Sequence, residues 1–440
     1  MNHHTEKASD SITFKDMINY LKSLTSEFPD KRTGSNLSYS MEDAAMGAFS
    51  LFFTQSPSFL AFQRTMEQNK GKSNAQTLFG MRKIPCDNHI RNLSDEVNPS
   101  YVFPMFSFII NGIIGYPDVF RSVNNNLLIA PDGTHYFSSD TISCENCFIK
   151  KHRNGTVNYS HSAVTPVIAA PGNEKVIASE PEFIMPQDGH GKQDCENAAA
   201  KRWLRKYGSR YSELNVTIPG DDLYCKQPIC EVITEEGFNY ISVCKPDSHK
   251  TLYEWLKGAD GIQRSVIRRW TGKRTEIDTY RFINRIPLCD ADKTFEVNRC
   301  EIISTLEDGR VIYRNSFATN HEITEENVIE IVIAGRARRK VENENNNILK
   351  TKGYNPEHNF GHGNKYLSLL LLTFNLPAFL FHTVLDISDS KYKMLRKKLP
   401  SRKTFSDDIR ALTRYICSDS WESLLNFMIR GLEIEISNSG

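Results

Sequence analysis

A chain of 440 residues with 39% hydrophobic and 24% charged residues can bury a sizeable core, and its composition is neither fibrous nor disordered. The 54 Lys and Arg against 53 Asp and Glu leave it near neutral, which excludes a uniformly basic nucleic-acid coat and moves the question of partners to local charge. The polar start of the chain, residues 1–10, has no apolar h-region and predicts no secretory signal, so the ten cysteines are expected as mostly free thiols in a reducing compartment.

Residues 1–100 read as a helical N-terminal domain with a DNA-contacting or packing role. Apolar residues recur at helical spacing over 14–24 and over 41–66, with a break at Ser56-Pro57, and no helix-turn-helix pattern stands out. From about 125 the texture changes to strands. Residues 125–137 predict a strand ending in an acidic turn, and 157–171 and 175–184 predict two more around a turn at Pro171-Gly172-Asn173. A helix follows over 194–211, expected to end near Gly208. Strands are expected at 213–224, closing on acidic residues, and at 237–249, where Ser248 is the expected cap of the next helix.

Residues 278–288, 294–306 and 311–320 then alternate as strands of a β-rich module, with Glu307-Asp308-Gly309-Arg310 as a hairpin turn. Thr324 is the expected N-cap of a long helix, favoured by Glu325 and Glu326 at its positive end. A Gly/His/Asn-rich break at 353–364 precedes the apolar run Tyr366 to Val384. Asn375, Pro377 and His382 within that run favour a buried core helix over a membrane span.

Lys and Arg gather in four groups, at 201–210, 264–274, 336–340 and 391–403. Each alone suits a solvated face; four of them beside acidic motifs suit a phosphate backbone. Three carboxylates share a setting. Asp132 follows the apolar strand Leu127-Leu128-Ile129-Ala130, Asp221 follows Val216-Thr217-Ile218, and Glu342 lies on the late helix. Acidic residues after strands are often turn formers. Convergent carboxylates, though, are also what magnesium takes from a protein while substrate phosphate fills its remaining positions.

The segments PDGTHYFSS (131–139), GDDLYCKQPIC (220–230) and RARRKVENENNNILKTKGYNPEHNFGHG (336–363) together resemble the DDE-class insertion-sequence transposases, in particular those with a β-rich insertion between the second Asp and the Glu. MPQDGHGKQDCENAAAKRWL (185–204) and SWESLL (420–425) extend the resemblance to roughly residues 80–430. It implies an α/β fold with an RNase H-like mixed sheet flanked by helices. The first part of the catalytic core would span 120–250, the insertion 251–322, and the second part with the C-terminal helices 323–440.

The resemblance also implies the site. Asp132, Asp221 and Glu342 would be catalytic and would hold two magnesium ions, with manganese as a substitute. Asp222 stands as the alternative second ligand, and Glu344 would project about 200° round a regular helix from Glu342. Arg338 lies one turn before Glu342 and, with Arg339 and Lys350, is a candidate phosphate contact. Ala337 stands where the family often has an aromatic residue, and the lysine after the Glu is displaced by about one position. The implied partners are double-stranded DNA, as element ends and as target, and a second copy of the chain assembled on that DNA; no membrane is involved. The implied location is the cytoplasm of a bacterial or archaeal cell, at the nucleoid.

Other constellations remain open. Trp270, among basic residues, is either a half-buried tryptophan or a stacking platform for an unpaired base. Cys144 and Cys147 form a CxxC pair that is either two free thiols or half of a structural zinc site, completed by His152, His161 or Cys195. His358 and His362 stand at i, i+4 and would suit a metal if helical, but Gly361 and Gly363 favour a turn, so with Lys365 they read as core packing or a DNA contact. Asp188, Asp194 and Glu196 read as surface or loop groups, with Asp188 as a spare ligand. Three rivals to the transposase follow: a metal-dependent nuclease without strand transfer, a DNA-binding relic without catalysis, and a zinc-dependent interaction protein.

Overall fold

The computed structural model describes residues 12–33, 37–67, 73–113, 120–186, 194–289, 295–358 and 360–435. Six helices come first: α1 (Phe14–Ser26), α2 (Met41–Phe53), α3 (Phe59–Glu67), α4 (Asn74–Phe79), α5 (Asp87–Ser94) and α6 (Pro104–Ile113). Thr13 and Asp16 cap α1 reciprocally, and Ser40 caps α2. The Ser56-Pro57 break falls in the gap between α2 and α3.

The strands follow as β1 (Arg121–Ser122), β2 (Asn126–Ala130), β3 (Gly133–Ser139), β4 (Phe148–Lys151), β5 (Val157–Val164), β6 (Val167–Ala169), β7 (Ile177–Ala178) and β8 (Glu182–Ile184). Helix α7 (Glu196–Tyr211), β9 (Val216–Gly220), α8 (Gln227–Glu235), β10 (Asn239–Val243) and α9 (Lys250–Lys257) come next. Four long strands, β11 (Gln263–Trp270), β12 (Thr275–Pro287), β13 (Glu296–Leu306) and β14 (Val311–Thr319), lead into α10 (Val328–Arg336) and α11 (Asn347–Thr351). Helices α12 (Leu367–Ser388), α13 (Ser390–Lys398), α14 (Arg402–Tyr415) and α15 (Trp421–Gly431) complete the described chain.

The fold is α/β, built on a mixed sheet flanked by helices. Its order is β11-β12-β13-β14-β10-β9-β2-β6-β7. At the centre β2 runs parallel to β9, and β9 parallel to β10. Strands β6 and β7 continue antiparallel on one side, and β14 to β11 form an antiparallel meander on the other. The β-rich insertion therefore extends the central sheet through the β10–β14 pairing. Successive side chains of a strand point to opposite faces. Leu127 and Ile129 accordingly enter the large core with α7, α8 and α12, while Leu128 enters a second core under α10. Burial on both faces is why β2 reads as an unbroken apolar run.

Helix α12 lies wholly within the larger core, as expected for the Tyr366 to Val384 run; it is the one helix among the described residues long and apolar enough to cross a membrane. The N-terminal helices share that core with the C-terminal ones. Phe14 stacks on Trp421 at 4.7 Å between ring centroids, and Phe53 on His382 at 4.2 Å.

Four local expectations need correction. Residues 125–137 form two strands in different sheets, because the chain leaves β2 at Pro131-Asp132 and enters a second sheet of order β3-β5-β4, to which β8 adds on β5. Helix α7 runs through Gly208 to Tyr211. A Cβ at Gly208 would come within 2.5 Å of Glu236 Oε2, so the glycine marks close packing and not a stop. The late helix starts at Val328, because the Asn327 side chain ties Thr324 N and Glu322 O into a preceding turn. Helix α9 starts after His249, one residue later than the Ser248 cap implied. The hairpin turn at Glu307–Arg310 joins β13 and β14, with Gly309 at φ +85°.

Gly335 lets α10 lie close on the sheet. A Cβ there would come 2.7 Å from Phe317 Cδ1 and 2.8 Å from Ile241 Cγ2. Gly335→Ala is expected to destabilise the chain by about 1–3 kcal/mol through overpacking. Urea denaturation checks this: an unchanged midpoint would mean that the helix can lift from the sheet without cost.

Candidate active site

Two of the points at which the chain crosses between the sheets lie side by side. The chain passes outward at Pro131-Asp132 and returns at Thr165-Pro166, between β5 and β6. The crossings are joined: Thr165 N donates to the Asp132 carbonyl at 3.0 Å. This fixes Asp132 at the end of β2, half-buried, beside the end of its parallel neighbour β9. Asp221 follows β9 directly, and one of its oxygens accepts from Leu223 N at 2.8 Å.

Glu342 arrives on an irregular helix. After α10 the chain makes a turn at Ala337-Arg338 and winds as a π-helix over Val341–Asn346, where Asn347 N–H bonds the Glu342 carbonyl five residues back. Such π-turns widen a helix by one residue and are frequent at functional sites. This one delivers Asn346, whose Nδ2 donates to Asp132 Oδ2 at 3.2 Å. Its amide is oriented by two donors to Oδ1, Thr165 Oγ1 and Asn345 Nδ2, each at 3.0 Å.

A fourth carboxylate joins these. Glu196, the first residue of α7, accepts from Tyr224 Oη at 3.1 Å, and its Oε2 lies so close to Gly133 that a Cβ there would come within 2.3 Å. A Cβ at Gly220 would meet the Tyr224 side chain at 2.4 Å. The glycines beside Asp132 and Asp221 thus admit one Tyr224–Glu196 contact that draws the two strand ends together.

The electrostatics reflect this crowding. Burial, then the charge of Glu196, and further those of Asp221 and Glu342, push the Asp132 carboxyl up to about 7, against the opposing pull of Arg338. Burial also raises Glu196, with Asp221 adding to it and the Tyr224 hydroxyl opposing. Four carboxylates and one guanidinium therefore share one field. Magnesium binds hard oxygen ligands, and a crowded set of carboxylates that retains a proton is a donor set that fits a divalent cation.

Asp222 points elsewhere: its Oδ1 accepts from Lys245 N at 2.8 Å and faces His249 Nε2 at 3.4 Å. Glu344 is half-buried, whereas Glu342 is exposed and its charge acts on Asp132. Arg339 is exposed just past the turn that follows α10. Lys350 pairs with Glu357 at 2.8 Å, and both act on His135, whose imidazole is held low by burial and then by Lys350. Trp270 is 66% exposed at the end of the edge strand β11. Five strand steps, about 24 Å, separate β11 from β9 across the sheet.

Several basic residues are engaged internally. Arg202 bonds Glu182 at 2.8 Å and Asp194 at 2.7 Å, which corrects the surface reading of Asp194. Arg210 pairs with buried Glu180, and Arg269 and Arg274 pair with Glu276 at 2.8 and 3.1 Å. Asp188 lies outside the described residues. Glu196, read from the sequence as a surface or loop group, instead stands beside Asp132, held there by its contacts with Tyr224 and Gly133.

No protein-family model matches this chain, and no curated protein matches it.

Asn346→Ala removes the only side-chain donor among the described residues that bonds the Asp132 carboxylate. Groups that orient a metal-binding side chain are typically worth about 10–100-fold in affinity or activity. That loss is expected in magnesium affinity by calorimetry, with the melting temperature little changed; full affinity would dismiss Asn346 as a positioning residue.

Proposed function

We propose that the chain is a transposase that binds the terminal inverted repeats of a mobile element, cuts DNA there and joins the freed end to a target. The observation that carries this reading is the carboxylate cluster at the ends of two parallel strands, Asp132 and Asp221, reached by Glu342 from a helix after the β-rich insertion. A mixed sheet with that arrangement supports an RNase H-like core, and the segment resemblances described above give the reading its substrate.

Two magnesium ions, or manganese in their place, would be held by Asp132, Asp221 and Glu342 and would supply a more acidic attacking hydroxyl and charge neutralisation at phosphorus. The chain's own groups do the rest. The Asn346 amide orients Asp132. Glu196 holds the Gly133 and Tyr224 segments together, and its carboxylate is a fourth oxygen donor. Arg338 offers a guanidinium to a phosphate beside the carboxylates. Arg339 and Lys350 extend that contact along the helix, and Arg264, Arg268 and Trp270 on the edge strand suit a more distant stretch of DNA. Cutting two ends of an element calls for two copies of the chain on DNA, in the cytoplasm of a bacterial or archaeal cell.

The test is magnesium-dependent cleavage of a duplex carrying the element's own end, comparing wild type with Asp132→Ala, Asp221→Ala and Glu342→Ala. Cutting by wild type, lost in all three variants with DNA binding retained, is the expected result. Joining of the cut 3′ end to a second duplex separates a transposase from a nuclease. Binding without any cutting would leave a DNA-binding relic.

A further inference from the structure

A second cluster of ligating side chains lies apart from the carboxylates. Cys144 and Cys147 sit in the loop between β3 and β4, His161 lies on β5, and His362 comes from the loop between α11 and α12. One ligand atom from each falls within 4.8 Å of all the others. The two sulfurs are 3.8 Å apart, too far for a disulfide, and both cysteines are free. His161 Nε2 stands 3.4 Å from Cys144 Sγ and 3.5 Å from Cys147 Sγ, and His362 Nε2 stands 3.5 Å from Cys147 Sγ.

Those separations match four of the six edges of a tetrahedron, and the other two lie within 4.8 Å. Zinc with Zn–S near 2.3 Å and Zn–N near 2.05 Å in tetrahedral geometry requires about 3.8 Å between sulfurs and about 3.5 Å between sulfur and nitrogen. Hydrogen bonding alone does not call for two thiols and two imidazoles aimed at one point. The surroundings are built for it as well. Cys147 is 1% exposed, His161 2% and His362 6%. Cys144 N donates to Cys147 Sγ at 3.4 Å, which supports a thiolate. Tyr136 stacks on His161, and Phe137 packs on His362 at 4.2 Å. Gly363 has φ +69°, and a Cβ there would strike Asp95 Oδ1 at 2.1 Å, so the backbone beside His362 is held in a conformation that glycine alone takes without strain.

We propose that Cys144, Cys147, His161 and His362 form a structural Zn2+ site that fastens the loop before α12 to the small sheet that begins at Asp132. Four protein ligands leave no open position, so the site is structural and not catalytic. Binding displaces two thiol protons to solvent, and each imidazole uses the Nε2 lone pair. Cys147 and His362 are 215 residues apart in sequence. The metal therefore closes the chain around the segment that carries Glu342 and Asn346, and holds the two sides of the carboxylate site in register. The partners differ from two of the sequence candidates, because His152 and Cys195 are not in the cluster.

The experiment is metal analysis of the full chain, purified without chelator or histidine tag, together with X-ray absorption at the zinc edge. About one zinc per chain with two sulfur and two nitrogen ligands is expected. Cys147→Ala and His362→Ala should each fall below about 0.2 zinc, and Cys225→Ala, in the separate Cys225–Cys244–His249 cluster, should keep about one. If the first two variants do not fold, cobalt(II) exchanged into the wild-type chain should give the intense visible bands of a tetrahedral thiolate site. Less than about 0.2 zinc in wild type, iron in its place, a six-coordinate cobalt spectrum, or zinc lost only in Cys225→Ala would each overturn the proposal. None of these readouts depends on DNA cleavage, so this site and the transposase reading fail separately.

Discussion

Asp132→Asn is expected to lower magnesium-dependent DNA cleavage by about 10³-fold or more and, in the metal-free chain, to raise thermal stability at neutral and alkaline pH. Both effects come from one cause. The folded chain holds the Asp132 carboxyl up at about 7, by burial and by the charges of Glu196, Asp221 and Glu342, whereas an unfolded aspartate titrates near 3.9. A group whose folded value is raised keeps its full contribution to stability below the unfolded value and loses it as pH rises through the folded one. Stability of the metal-free wild type should therefore fall between about pH 4 and pH 7, by roughly 2–3 kcal/mol once partial exposure and shared titration within the cluster are discounted. Asparagine has no proton to lose there, so the advantage of the variant should grow across that window. Magnesium should stabilise wild type most above pH 7, where the carboxylates are ionised, and should do little for the variant. Melts in chelator at pH 4, 6 and 8, repeated with magnesium, read this out. Equal stability of the two chains at pH 8 would remove the crowded cluster as the cause, and undiminished cleavage by the variant would remove Asp132 as a ligand.

How much of this was legible in the sequence follows from how local each feature is. Strands buried on both faces, such as Leu127 to Ala130, announce themselves as apolar runs, and Gly309 announces its hairpin turn. The acidic residues after β2 and β9 are visible for the same reason: a strand end is a local event. Glu196 was not visible, because it belongs to the site only through Tyr224 and the missing Cβ of Gly133, contacts made across the fold. Asn346 was hidden by the helix itself. An α-helical count from Glu342 places neither it nor Lys350 correctly, since the π-turn over Val341–Asn346 takes up one additional residue. The CxxC pair was legible, but its partner His362 was not, because no local rule connects residues 215 apart.

Arg210→Ala is expected to cost about 3–5 kcal/mol of stability and to leave DNA affinity unchanged. By sequence Arg210 belongs to a basic group that suits phosphate. In the fold its guanidinium pairs with Glu180, whose side chain is fully buried. Glu180 also accepts from Ser107 Oγ at 3.0 Å and from Ser179 Oγ at 2.6 Å, so the carboxylate joins α6, the segment after β7 and α7. Two hydroxyls satisfy its hydrogen bonding but not its charge, and removing the only cation paired with it among the described residues strands that charge in the core. The double variant Glu180→Gln/Arg210→Met removes both charges, and its amide oxygen accepts from one serine while its NH2 donates to the hydroxyl oxygen of the other. It is expected to recover to within about 1 kcal/mol of wild type, since a buried pair is often replaceable as a unit. Urea denaturation of wild type, Glu180→Gln, Arg210→Met and the double variant gives the coupling, and the salt dependence of DNA binding by Arg210→Ala gives the second readout. A chain that keeps its stability but binds DNA more weakly, with a shallower salt slope, would return Arg210 to the phosphate-contacting surface.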